Sequence, residues 1–222
     1  MATKSDSQLQ GDRGIIYDVC SGTFYILGFI SIFKFFRVLF PRIGARTIFV
    51  DMYVLLNLLI PLILLLTYSV PWLCRWEKIA ILYGGFRVFE MIVYQVNVLM
   101  FNEYRARKKG DNNYALRGYH RMLTLLVLNY VEIIFWFALF YRNYNFAFNT
   151  TGGPDPNSLF IYLNYSFVTL TTFGYSTIYP KEMTGYVLVL LQSIIGLFMT
   201  LMIFARFISL LFTPKTVDKF EK

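Results

Sequence analysis

Four apolar runs, each about as long as a bilayer is thick, constrain this chain more than anything else in it. A helix crossing the hydrocarbon core needs about 20 mostly apolar residues. Phe49–Leu73, Met122–Tyr141 and Met183–Phe212 meet that need directly. A fourth run, Trp76–Phe101, is long enough but carries Arg87 and Glu90 near its middle. Inside lipid the backbone must pair within its own segment, so such runs fold as helices. Composition agrees: 57% of residues are hydrophobic and 15% charged, against about 25% charged in a soluble domain.

Two further apolar stretches are not simple spans. Gly22–Phe40 is interrupted by Lys34 and Arg37, three apart and so on one helix face. It reads as a helix lying in the membrane interface; the alternative is a fifth span. Residues 1–21 before it are mostly polar, read as a short tail, and carry no cleavable signal pattern. Ser158–Thr171 is too short to cross. Apolar and bounded by turn residues, it suits a re-entrant helix.

The net charge of +8 would suggest nucleic acid in a soluble protein. Here the basic residues fall between apolar runs, so they report topology and no nucleic-acid partner is expected. Residues 1–48 carry Lys4, Arg13, Lys34, Arg37, Arg42 and Arg46; residues 102–121 carry Arg105, Arg107, Lys108, Lys109, Arg117 and Arg121; Arg206, Lys215, Lys219 and Lys222 follow the last run. The positive-inside rule places both termini and the 102–121 loop in the cytoplasm. Four spans satisfy that arrangement, whereas five do not. The expected organisation is a cytoplasmic segment 1–48 with its interfacial helix, a peripheral two-helix region 49–121, a module 122–212 holding the re-entrant segment, and a short tail 213–222.

The informative stretch runs from Ser166 to Pro180. A short apolar helix would end near Thr171, followed by non-helical backbone around Gly174 and then a long apolar helix. Non-helical backbone at membrane depth survives only when packed in protein or lining a watery path. Several copies around an axis could turn main-chain carbonyls inward in place of the water shell of a cation.

At this point the sequence resembles the potassium-channel pore family. That family's pattern is a pore helix ending in Thr-Thr, then Val-Gly-Tyr-Gly-Asp, then a Pro three residues on. Thr171, Thr172, Gly174, Tyr175 and Pro180 match it, over a resemblance covering about Asn157–Leu211. It implies a re-entrant pore helix and a filter loop, assembled as a homotetramer; with the four apolar runs the expectation is an all-α integral membrane protein with four transmembrane helices. It also implies that Thr172, Phe173, Gly174 and Tyr175 supply oxygens to permeant K+, with no other cofactor. Gly196 falls where many members carry an inner-helix hinge glycine.

Three departures shape the expectation. Phe173 stands for the usual Val, a change of side chain where the carbonyl is what matters. Ser176 stands for the second Gly, and a left-handed Ser costs about 1–2 kcal/mol. Thr177 stands for the usual Asp, while Val168 occupies the position where some members place its Glu partner. With both halves of that acid pair absent, another network must support the filter, and Tyr162, Tyr165 and Thr169 offer hydroxyls. A poorly selective cation channel and a non-conducting membrane scaffold or regulatory subunit are the alternative readings.

The remaining features are secondary. Arg87, Glu90 and Glu132 fall at similar depth in two spans and form a candidate intramembrane charge cluster, since such groups seldom stand alone. The Arg105–Lys109 cluster reads as a topology signal or a contact for anionic lipid heads. His120 is the single histidine, Asn149-Thr150-Thr151 is a glycosylation sequon, and Cys20 and Cys74 have no metal-ligand spacing. One histidine and two distant cysteines furnish no nucleophilic triad, so no enzyme is expected. The sequence names no regulatory partner.

Overall fold

The computed structural model describes residues 15–28, 47–67, 74–102, 105, 108, 119–151, 158–174 and 176–211. Expectations that fall on 29–46, on most of 103–118, on Tyr175 and on the tail after residue 211 lie outside these residues. The described chain forms helices α1 (Ile15–Leu27), α2 (Thr47–Leu66), α3 (Cys74–Val96), α4 (Tyr119–Asn143), α5 (Leu159–Leu170) and α6 (Met183–Leu211). Among the described residues, four helical stretches are long and apolar enough to cross a membrane: Ile48–Leu66, Lys78–Val96, Arg121–Asn143 and Met183–Ile208. These match the four runs read from the sequence. The chain is a multi-pass membrane protein.

It divides into two compact units, one comprising residues 1–50 and 89–115, the other residues 51–88 and 116–222. In the larger unit, α5 packs between α4 and α6. α2 runs parallel to α4, with an ion pair at the start and a cap at the end. At their first turns Arg121 Nη2 lies 2.7 Å from Asp51 Oδ1. At their last turns buried Arg142 donates from Nη1 to the Leu65 carbonyl at 2.7 Å, which places a cation on the negative end of the α2 dipole. Pro61 inside α2 has no N–H for the carbonyl of Asn57, one turn earlier. After α4 a short 3₁₀ turn, Asn145–Ala147, leads into strand β1 (Phe148–Thr150), which pairs antiparallel with β2 (Ile178–Pro180).

The smaller unit corrects one expectation. The helix near the N-terminus begins at Ile15, within the segment read as a polar tail. Side chains far away in sequence account for this. α3 passes into a π-helical turn, Asn97–Phe101, and α1 packs there. Tyr17 donates to the Met100 carbonyl at 2.7 Å, and Asn97 Nδ2 donates to the Phe24 carbonyl at 2.7 Å. Phe101 lies between the rings of Tyr17 and Phe24, at 5.3 and 5.7 Å.

Candidate functional site

The site is built at the C-terminal end of α5. Ile161, Tyr162, Tyr165, Ser166, Val168 and Leu170 are buried, so this short helix is held by its neighbours. The helix stops by a specific set of bonds. The Phe173 N–H reaches back to the Val168 carbonyl at 2.9 Å and the Thr172 N–H to the Thr169 carbonyl at 3.2 Å. This is the Schellman arrangement, in which the residue past the cap takes the left-handed conformation. That residue is Thr172, with φ of 59°, where Gly or Asn is usual. A β-branched residue there is strained by about 1–3 kcal/mol. The Thr172 hydroxyl donates to the Thr171 carbonyl at 2.6 Å, and the Thr171 hydroxyl donates to the Phe167 carbonyl at 2.8 Å.

The left-handed conformation recurs at Gly174, with φ of 76°, and not at Phe173 between them. Successive residues of opposite backbone handedness turn their peptide groups to one side. Sequence reasoning had the strain fall on Ser176. The structure shows a left-handed residue at Thr172, where none was expected, and a side-chain role for Ser176. Its hydroxyl accepts from the Ile178 N–H at 3.1 Å, a local turn that Ser forms readily. The Thr177 carbonyl then accepts from the Thr151 N–H at 2.9 Å, continuing the β1–β2 ladder beyond its last strand pair. Asn149 of the sequon is exposed on β1.

Behind this segment lies a fully buried polar strut. Tyr141 of α4 donates its phenol proton to Gln192 Oε1 of α6. The Gln192 amide donates to the Ser166 carbonyl at 2.9 Å and its hydroxyl oxygen at 2.8 Å. The Ser166 hydroxyl donates to the Ile134 carbonyl of α4 at 2.8 Å. Three helices are thereby joined through one amide. Sequence reasoning missed Tyr141, Gln192 and Ser166. The available signal was Gln192, a lone amide inside an apolar span. Of the residues proposed instead, Tyr162 and Tyr165 are buried. Tyr165 contributes its ring, 4.6 Å from Tyr141 and 5.6 Å from Phe148.

Gly196 touches the same place from below. A Cβ built on it would lie 2.2 Å from the Leu170 carbonyl oxygen and 2.9 Å from its carbon. Backbone cannot give way as a side chain does, so glycine is required here for packing. The Tyr130 hydroxyl lies 3.5 Å from that oxygen and from the Thr200 hydroxyl.

The charged residues come together in part. Arg87 of α3 grips Glu132 of α4 with two parallel bonds, Nε to Oε1 at 2.7 Å and Nη2 to Oε2 at 3.0 Å. Their side chains are 5% and 0% exposed. The Trp136 indole N–H donates to Glu132 Oε1 at 3.3 Å, and the Arg87 guanidinium lies 4.8 Å from the centre of the Tyr53 ring. Tyr83 donates to Asn57 Oδ1, and the Asn57 amide donates to the Tyr53 carbonyl at 2.8 Å. Gly84 lets α3 approach, since a Cβ there would lie 2.3 Å from the Trp136 ring. Glu90 is buried one turn further along α3.

Residues 123–213, most of α4 and all of α5 and α6, match the ion channel family model. This segment is similar to an ion-channel pore module. The match agrees with the resemblance read from the Thr-Thr-Phe-Gly-Tyr stretch. No curated protein and no solved structure matches the chain. Within the pore module, the described residues bring Thr171, Thr172, Phe173 and Gly174 into one turn at the tip of α5, with Val168 as its hydrogen-bond anchor. Ser176 and Thr177 lie in the turn that leads out of it.

Proposed function

We propose that four copies of this chain surround one axis and conduct K+ passively through a filter formed by Thr172, Phe173, Gly174 and Tyr175. The observation that carries the reading is the alternation of backbone handedness at 172–174, directly after a re-entrant helix wedged between two spans. One such turn cannot surround a cation, whereas a ring of them replaces its hydration shell with carbonyl oxygens. The Phe173 side chain is 81% exposed in a single subunit, and in the assembly a neighbouring copy covers it. Both termini and the 102–121 loop face the cytoplasm, where the basic loop meets anionic lipid heads.

The second reading is a poorly selective cation channel. Ser176 and Thr177 favour it, because the chain leaves the filter through a local turn and a strand pair without the usual glycine and acid. Reconstitution separates the two. Purified protein in liposomes is expected to carry K+ far faster than Na+. A reversal potential near zero under K+/Na+ exchange would establish the second reading instead. Gly174→Ala should abolish selective flux, because a Cβ disfavours the required positive φ. Unchanged selective current in that variant removes the filter assignment, and absence of any cation flux from the native protein favours a scaffold.

A further inference from the structure

The smaller unit holds a helix with one committed face and one open face. Tyr17, Ser21 and Phe24 of α1 lie on the side packed against the end of α3. Arg105 fixes that side. Its guanidinium donates to Asn97 Oδ1, to Asn102 Oδ1 at 3.1 Å and to the Ser21 carbonyl at 3.5 Å, and lies over the Tyr25 and Phe101 rings at 5.3 and 5.9 Å. Lys108 adds an ion pair with Asp18 at 2.9 Å. The helix therefore cannot roll to hide its other side.

That other side is apolar. Ile15, Val19, Gly22 and Ile26 recur at the four-three-four spacing of a single helical stripe. All are exposed, Ile15 to 84%, with Ile16 beside them at 80%. Its level is set by what α1 packs on. The span Lys78–Val96 ends where the π-turn Asn97–Phe101 begins, and α1 is bonded to that turn. The stripe is thus held where a membrane-crossing helix leaves the hydrocarbon, beside the basic side chains of Arg105 and Lys108. An amphipathic helix at that level buries its apolar face at the boundary of headgroups and acyl chains.

We infer that α1 is a membrane-surface helix whose Ile15–Val19–Ile26 stripe inserts into the lipid interface, latched to the end of α3 by Arg105. This occupant differs from the segment expected from sequence, where the interfacial helix began at Gly22. It is independent of which ion the pore carries.

The test uses full-length protein in liposomes, with Cys20→Ser and Cys74→Ser as background. Nitroxide labels are placed singly at Val19→Cys and at Ile26→Cys, with Lys108→Cys as the polar reference. Collision rates with oxygen, which concentrates in lipid, are compared with those of a charged nickel chelate, which stays in water. The expected result is an oxygen-to-nickel ratio several-fold higher at 19 and 26 than at 108. Nickel collisions as frequent at 19 and 26 as at 108 would mean the stripe faces water, and the inference fails. Suppression of both collision rates, with spin–spin broadening lost on dilution with unlabelled chains, would mean a second copy covers the stripe, and again the inference fails.

Discussion

Thr172 carries an unusual load for one residue. Its left-handed backbone is held by the bonds from its own N–H and that of Phe173 to α5, in a conformation that Gly adopts without steric cost. Thr172→Gly should therefore raise the thermal unfolding temperature of the assembly, by relief of about 1–2 kcal/mol. A lower temperature in that variant would show that Thr172 contributes more by its hydroxyl bond to Thr171 than it costs by strain. Gly196 is the second such residue. Replacing it with Ala must move the Leu170 backbone or α6 itself, an overpacking cost of about 1–3 kcal/mol. Because Leu170 lies two positions before the proposed filter, Gly196→Ala should alter ion selectivity as well as open probability. A change in open probability with selectivity and assembly intact would make the glycine a hinge and not a packing contact.

At the scale of elements, α4 is the shared wall. One face accepts Arg87 on Glu132; another accepts Ser166 on the Ile134 carbonyl and Gln192 on Tyr141. Breaking the buried ion pair leaves an uncompensated charge, so Arg87→Gln or Glu132→Gln alone should cost about 3–5 kcal/mol. The double variant should be less damaged than the sum of the two, as for partners in direct contact. Strict additivity in unfolding measurements would show that the pair contributes no coupling. The same cycle with Glu90→Gln measures whether Arg87 also senses its neighbour on α3. The strut yields a distinct expectation. Gln192→Leu leaves the Tyr141 phenol and the Ser166 groups without their amide, at about 1–3 kcal/mol. Its first symptom should be loss of K+ over Na+ discrimination, since Ser166 sits on the pore helix. Selective flux equal to the native protein's in Gln192→Leu would remove the strut from filter support.

For the whole molecule the prediction is assembly and orientation. Cross-linking and mass measurement in detergent should give four copies. Only monomers or dimers would rule out the proposed pore, because too few turns remain to ring a cation. Four spans with basic segments between them predict residues 4 and 222 on one side of the membrane. Thiol labels at Lys4→Cys and Lys222→Cys should then be quenched together by an impermeant reagent applied from that side. Quenching of one label alone would mean an odd number of crossings.

The spans, the short apolar helix and the turn that follows it were legible in the sequence because each is a local property. Crossing a bilayer is a matter of length and hydropathy, and the left-handed turn announces itself by Gly174 after the Thr-Thr pair. The candidate charge cluster was legible in kind, since an ionisable residue at depth implies a partner. Choosing Glu132 as the partner of Arg87 required knowing which faces of α3 and α4 meet. Tertiary structure alone decided the rest. α1 begins at Ile15, ahead of the expected Gly22, because Met100, Asn97 and Phe101, some 80 residues away, pair its polar atoms and cover its rings. Thr172 takes its left-handed conformation because Val168 and Thr169 present their carbonyls to the turn. The buried strut joins Tyr141, Gln192 and Ser166 from three different helices. No periodicity in one segment reports a contact made between three.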